Sequence, residues 1–148
     1  MIAYRIARRE YIEDLSGYGA FLFGGRWNEQ GVPALYLSSS LTLAMLEILV
    51  HASNENPPVN MYFAEVYVPD EIYEEPVVKL PQNQTSVSFG SEWLKSKKSL
   101  FIKVPSAILP YEYEHDFNLI FNPQHKDFKK LKVMKIRKIK FDYRLNKF

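Results

Sequence analysis

FLFGGRWNEQGVPALYL, residues 21–37, is the stretch of this 148-residue chain that says most about its fold, together with the apolar segment that follows it to His51. Gly24 and Gly25 let the backbone approach a ligand, or adopt a positive φ, without a Cβ clash. Arg26 comes directly after them. Because a guanidinium and backbone N–H groups can both point at the oxygens of an anion, this turn predicts a site for a group such as phosphate. The same residues are also compatible with an ordinary glycine-rich turn that carries a surface arginine, since short glycine motifs are common.

A short buried strand and an apolar helix are predicted after the glycine turn. Residues 34–37 have the composition of a strand, and the serines at 38–40 supply N-cap hydroxyls for a helix over residues 41–51. Glu47 lies in the middle of that helix among apolar residues that recur at helical spacing. A carboxylate placed there is costly to bury unless it lies on a solvated edge or has a partner. The sequence leaves both alternatives open for Glu47.

The remainder of the chain intersperses predicted strands with predicted helices. This order is typical of a mixed α/β or α+β fold, and periodicity alone does not choose between the two. The predicted strands are residues 2–7, 61–68, 100–104, 117–121 and 133–141, the predicted helices are 70–75 and 90–98, and residues 16–20 are predicted as a loop.

Composition limits the classes of protein that this chain can belong to. A length of 148 residues predicts one domain, residues 1–148, with a sizeable core. The net charge of +2 is too small to argue for nucleic-acid binding, and the absence of cysteine excludes disulfides and thiolate metal sites. The three histidines show no metal-binding spacing, so no metal is predicted. With no signal-peptide pattern and no membrane-length apolar run, we expect a soluble cytoplasmic protein without membrane contact.

Five motifs, in this order along nearly the whole chain, resemble those of the RES domain family. The family takes its name from an arginine, a glutamate and a serine. Its members resemble the toxins of RES–Xre toxin–antitoxin pairs, with a fold similar to ADP-ribosyltransferases and an activity that consumes NAD. The motifs are GGRWNxxGxPxxY from Gly24, AMLE ending at Glu47 with His51 after it, VPS ending at Ser106, NxxxNPxH from Asn118, and DYRL from Asp142.

The resemblance implies a compact α/β fold with a split, twisted sheet around a cleft. In that fold Arg26, Tyr36, Glu47 and Ser106 come from separate elements and converge. One position departs from the family pattern, because the acid two residues before the asparagine at 118 is Asp116 where the family has glutamate.

The cleavage of NAD between ribose and nicotinamide gives each of these residues a role. The transition state resembles an oxocarbenium ion, so a carboxylate should lie near the ribose, and Glu47 is the candidate. Arg26 is the candidate clamp for the diphosphate, because its planar fork suits phosphate better than lysine does. Tyr36 would border the nicotinamide or the ribose. NAD is thus expected as a substrate rather than a cofactor, contacted by Gly25, Arg26, Asn28 and Tyr36.

Ser106 is expected to donate a hydrogen bond that positions Glu47 or the ribose. We do not expect it to be a covalent nucleophile, because no Gly-x-Ser-x-Gly elbow surrounds it.

The resemblance also implies a partner, an Xre-type helix-turn-helix antitoxin that would link the chain to DNA only indirectly. It leaves the formation of a homo-oligomer open. Two other functions stay open as well. One is a mono-ADP-ribosyltransferase that passes ADP-ribose to a protein or nucleotide. The other is a nucleic-acid-binding or RNA-cleaving toxin that uses the basic stretch at residues 126–140.

Overall fold

The computed structural model describes residues 1–70, 77–109 and 115–145. Its elements are β1 Ile2–Arg8, α1 Tyr18–Phe23, β2 Leu35–Ser38, α2 Leu41–His51, β3 Met61–Tyr67, α3 Gln84–Ser96, β4 Phe101–Pro105, β5 Phe117–Phe121 and β6 Lys132–Lys138, with 3-10 turns at Phe128–Lys130 and Tyr143–Leu145. The strands form one six-stranded sheet in the order β4-β5-β2-β1-β3-β6. Each of these neighbouring pairs is antiparallel. The mixed class predicted from the sequence is therefore confirmed.

The sheet is divided at its middle, between β1 and β2. These two strands are joined through the single pair Tyr4↔Ser38. On its other side, β1 pairs with β3 along its whole length, from Ile2 to Arg8. A gap therefore opens beside β2 where β1 continues without it, and this gap is the split that the resemblance implied.

The core lies on both faces of the sheet. One face carries a single apolar cluster contributed by five strands and closed by loop residues such as Ile12 and Leu131. The opposite face carries two clusters with a space between them. In one of these, Ala44 of α2 packs with Ile6 and Met61. In the other, Trp27 and Leu94 pack against Ile102, Val104 and Ile120 of β4 and β5.

Helix α2 forms where the sequence predicted it, from Leu41 to His51. Its N-terminus is capped as expected, since Ser40 Oγ accepts a hydrogen bond of 3.1 Å from the backbone N–H of Leu43. The apolar side of the helix buries Leu43 and Ala44. In the described part of the chain no helix is long and apolar enough to cross a bilayer.

Three of the predicted boundaries were wrong. Residues 16–20 were predicted as a loop, but α1 begins at Tyr18, and none of its residues is buried, so it leaves no hydrophobic periodicity to detect. Helix α3 begins at Gln84, six residues before the predicted start, because Asn83 caps it by accepting from the backbone N–H of Thr85 at 2.8 Å. Strand β6 ends at Lys138 rather than at residue 141. The predicted helical turn at 70–75 falls almost wholly outside the described residues.

Candidate active site

A cleft of about 530 Å³ lies between the two clusters on the α2 side of the sheet. Its volume is in the range of pockets that bind small molecules and cofactors. The walls come from α2, from the glycine turn and from the four strands at the middle and one side of the sheet. Of the six residues predicted for the site, Gly25, Arg26, Tyr36 and Glu47 line this cleft.

The structure gives Glu47 partners at the floor of the cleft. Ser106 Oγ and Asn118 Nδ2 each donate a hydrogen bond of 2.9 Å to the same atom, Glu47 Oε1. Both donors are neutral, and no described cation forms an ion pair with this carboxylate. The two bonds therefore fix the carboxylate without cancelling its charge, and Glu47 is the paired residue rather than the solvated-edge residue of the two alternatives.

Ser106 lies behind Glu47. Its side chain does not line the cleft, and the residue is 6% exposed. Its hydroxyl donates to Glu47 and accepts from the backbone N–H of Ile108 at 3.1 Å. This arrangement suits a hydrogen-bonding role for Ser106.

Tyr36 joins the sheet to the glycine turn. Its hydroxyl donates to Asn28 Oδ1 at 2.6 Å and accepts from the backbone N–H of Trp27 at 3.1 Å. Burial raises the pKa of Tyr36 to about 12, although the bond from Trp27 acts in the opposite direction. The phenol is therefore neutral throughout the physiological range and donates its proton to Asn28.

Asn28 builds the turn from inside the protein. Its side-chain nitrogen donates to the carbonyls of Ala20 at 2.8 Å, Glu29 at 3.2 Å and Val32 at 2.9 Å, and the residue is 1% exposed. It does not line the cleft, although the sequence predicted it as an NAD contact. Asn28 would therefore affect a ligand indirectly, by holding the turn in its shape.

The two glycines allow the turn to close over Tyr36. Gly24 has a φ of 71°, which favours glycine, and ends α1. A Cβ on Gly25 would lie 2.7 Å from Tyr36 Oη and 2.9 Å from Asn28 Oδ1, so a side chain there would displace the pair. The backbone at Gly25 can thus reach the cleft wall.

Arg26 is the exposed cation of the site. Its side chain lines the cleft, and no described residue forms a hydrogen bond or ion pair with its guanidinium. An unpaired guanidinium beside a cleft is suited to an anionic ligand.

Arg5 is a second cation at the cleft, and no local pattern in the sequence predicted its position. It lies on β1 in the gap beside β2, where its guanidinium donates to the carbonyls of Ile12 at 3.2 Å and of Asp14. Burial lowers the pKa of Arg5, while the charge of Asp14 opposes that effect. Both Arg5 and Tyr36 line the cleft.

Helix α3 holds the glycine turn in place, and this contact was also missed. Ser86 Oγ donates to the carbonyl of Arg26 at 2.6 Å, and Ser91 Oγ accepts from the backbone N–H of Glu29 at 2.9 Å. Between them Gly90 packs directly on the carbonyl of Trp27. Positions 86, 90 and 91 of α3 carry small residues and share one helix face. This pattern indicates a close contact, and it can be found in the sequence when the helix is taken to begin at Gln84.

Replacement of Tyr36 by phenylalanine is expected to destabilise the protein by about 1–2 kcal/mol at pH 7, because the hydroxyl links two buried polar groups. The folded-state pKa lies above the value near 10 of an unfolded tyrosine, so the folded form holds the proton more tightly. The stabilising effect of the hydroxyl is then complete below pH 10 and is lost as the pH rises from about 10 toward 12. Urea denaturation of both proteins at pH 7, 9 and 10.5 measures the difference between their free energies of unfolding. A difference that grows above pH 10 would contradict the assignment of the raised pKa to Tyr36.

The fold and the cleft together define a mixed α/β protein that presents one carboxylate and one unpaired arginine to a pocket of nucleotide size. The family model described as the RES domain matches residues 2–145, and the chain therefore belongs to the RES domain family.

Similar proteins agree with this membership. The "Prs ADP-ribosylating toxin" of Sphingobium sp. (strain YBL2) is 41% identical, over 94% of this chain and 91% of that protein. A "Toxin Res" of Photorhabdus laumondii is 38% identical, over 88% of this chain and 86% of that protein. A chain in the crystal structure of the M. tuberculosis MbcT–MbcA toxin–antitoxin complex superposes with a TM-score of 0.70 at 19% identity, covering 93% of this chain and 83% of that one. At that identity the likeness shows the fold.

Proposed function

We propose that this protein is the toxin of a toxin–antitoxin pair and that it degrades NAD by cleaving the bond between the ribose and nicotinamide, as a glycohydrolase or a phosphorylase. The observation that carries the proposal is the carboxylate of Glu47, fixed by two neutral donors in a cleft that also contains the unpaired Arg26. The toxin role is supported by the names of two similar proteins, each of which is called a toxin.

The charge of Glu47 suits the chemistry of this cleavage. As the bond from ribose C1′ to the nicotinamide nitrogen breaks, its electron pair leaves with nicotinamide, which becomes neutral, and positive charge develops on the ribose. A preorganised carboxylate stabilises that charge and lowers the barrier. An oxygen of water then bonds to C1′ and gives up one proton to solvent, or an ionised oxygen of phosphate bonds to C1′ without proton loss.

Arg26 and Tyr36 would hold the rest of the substrate. The guanidinium of Arg26 is free to form paired hydrogen bonds with the diphosphate, and Gly25 lets the backbone of the turn come close. The ring of Tyr36, held in place by its bonds to the turn, offers a flat surface to the nicotinamide or the ribose.

Incubating the purified protein with NAD tests the proposal. We expect free nicotinamide, together with ADP-ribose in the absence of phosphate or a phosphorylated ADP-ribose in its presence. A parallel incubation with RNA should leave the RNA intact. If RNA is shortened while NAD stays whole, the nuclease alternative takes the place of this function.

Replacement of Arg26 by lysine is expected to raise the KM for NAD about tenfold with a small change in kcat, because the charge stays while the bidentate geometry is lost. Steady-state kinetics with NAD measure both constants. Arg9→Lys, at an exposed position beyond the end of β1, is the matched control and should behave as the wild type. An unchanged KM in Arg26→Lys would remove Arg26 from the phosphate site.

ADP-ribosyl transfer to a macromolecule is the second candidate function. It is favoured by the name of the relative that is 41% identical, an ADP-ribosylating toxin. Incubation of the protein with labelled NAD and a cell extract separates the two functions. Label that becomes attached to protein or nucleic acid supports transfer, whereas label recovered only as free ADP-ribose or its phosphate supports degradation.

We also propose that an Xre-type antitoxin binds over the cleft and links the toxin to DNA only through itself. The apolar side chains of Phe21, Leu22 and Phe23 are exposed on α1, and Phe23, at 79% exposure, lines the mouth of the cleft. Apolar residues at such a rim are suited to a protein partner. Co-expression with the neighbouring gene product should give a complex that releases no nicotinamide, and a complex that cleaves NAD at the rate of the free protein would contradict cleft blocking.

A further inference from the structure

Two donors act on one oxygen of Glu47. Ser106 Oγ and Asn118 Nδ2 both bond to Oε1, and none of the described residues donates a hydrogen bond to Oε2. The carboxylate is therefore held at one end, and its other oxygen is free to interact with a ligand. Ser106 belongs to the segment after β4 and Asn118 to β5, so the two donors approach Glu47 from different segments of the chain.

Ser38 forms a hydrogen bond with the Asn118 amide at the end opposite to Glu47. Ser38 Oγ donates to Asn118 Oδ1 at 3.0 Å, so the amide oxygen is occupied and the amide nitrogen points to Glu47. The two residues lie opposite each other in the register between β2 and β5, which places their side chains on the same face of the sheet. Ser38 is 6% exposed. A reversed amide would set its oxygen against the carboxylate and would lose the hydrogen bond to Glu47.

We propose that Asn118 is a positioning residue that keeps Oε2 of Glu47 directed at the ribose, and that Ser38 keeps Asn118 in the orientation to do so. This inference rests on the proposed NAD cleavage. Ser106 alone would leave the carboxylate free to rotate about its single hydrogen bond, whereas two donors from different segments restrict that rotation. Because the carboxylate acts on charge that develops in the transition state, a loss of orientation lowers kcat and leaves KM nearly unchanged.

Asn118→Ala and Ser38→Ala test the orientation. We expect kcat to fall about 10- to 100-fold in Asn118→Ala, with KM within about twofold of the wild type, and to fall less in Ser38→Ala. Asn56→Ala, at an exposed position in the loop before β3, is the matched control and should keep the wild-type kcat. An unchanged kcat in Asn118→Ala overturns the proposal.

Asn118→Asp gives a readout that a purely structural role would not change. The variant keeps the size of the side chain and places a second carboxyl group within hydrogen-bond distance of Glu47, so the two groups share a proton and the acid limb of the kcat profile moves to higher pH. His51 lies on the same helix and also lines the cleft, so its replacement by glutamine is the control. The same shift of the acid limb should persist in that background. The ionisable and charged groups that line the cleft beside Glu47 are Tyr4, Arg5, Arg26, Tyr36 and His51.

Crystal structures of the wild type and Asn118→Ala separate this proposal from the proposed function, because they show the orientation of the Glu47 carboxylate whether or not the protein cleaves NAD. With Ser106 as its remaining donor, the carboxylate should turn so that Oε2 loses its wild-type direction. A wild-type protein that releases no nicotinamide contradicts the function only. A carboxylate that keeps the wild-type orientation in Asn118→Ala overturns the positioning role, and if the alanine variant does not fold, the structure of the aspartate variant decides.

Discussion

Replacement of Glu47 by glutamine is expected to abolish NAD cleavage, with a fall in kcat of at least about 100-fold, while the protein stays folded. The amide oxygen of glutamine can accept the same two hydrogen bonds, from Ser106 and Asn118, so the packing of α2 against the sheet is retained. What disappears is the negative charge, and an amide nitrogen takes the place of the free oxygen. Release of nicotinamide and the thermal unfolding temperature are the two measurements.

The control for this variant is Glu92→Gln, at an exposed position on α3 away from the cleft. It removes the same charge from the protein as a whole, so any effect of net charge is shared by both variants. We expect full activity from it. A folded Glu47→Gln protein that keeps most of its turnover would make Glu47 a structural residue and would end the proposed mechanism.

The sequence predicted the parts of the site that come from one continuous segment. Arg26, Tyr36 and Glu47 lie within 22 residues of one another, and the strand and helix that carry Tyr36 and Glu47 have a clear apolar pattern. The cap at Ser40 could also be predicted, since it depends only on local spacing. These features follow from short-range rules, which act in the same way whatever the rest of the chain does.

The partners of Glu47 could not be derived from local rules. Ser106 and Asn118 are 59 and 71 residues away along the chain, and their approach depends on the order of strands in the sheet. Only the resemblance to a family associated Ser106 with Glu47. Asn118 stood within a quoted motif without any role, because an asparagine on a strand has no distinctive pattern until its neighbours across the sheet are known.

The contact between α3 and the glycine turn was missed for a different reason. Hydrophobic periodicity detects apolar faces, and this face of α3 consists of Ser86, Gly90 and Ser91, which contact the backbone of the turn. A glycine at 90 was therefore interpreted as the start of a helix, when its role is to let two segments of backbone approach.

Replacement of Gly90 by alanine is expected to destabilise the protein by about 3 kcal/mol, at the upper end of the range for overpacking. The added Cβ would lie 1.9 Å from the carbonyl oxygen of Trp27 and 2.8 Å from its carbon, and neither backbone atom can rotate away. Helix α3 would have to move off the turn, which would strain the bonds from Ser86 and to Ser91. For a domain of this size, thermal unfolding should shift down by roughly 10 °C.

Gly19→Ala is the matched control, because it makes the same substitution in a helix at a position where no atom lies within 4 Å of the new Cβ. Since alanine has the higher helix propensity, this variant should be as stable as the wild type or up to about 1 kcal/mol more stable. The same intrinsic gain applies at Gly90, so a net loss there reports the clash alone. Because Arg26 and Trp27 belong to the displaced turn, folded Gly90→Ala protein should also show a raised KM for NAD. Equal stability of the two variants would mean that α3 does not pack on the turn at this distance, and that the position of Arg26 is set by α1 and Tyr36 instead.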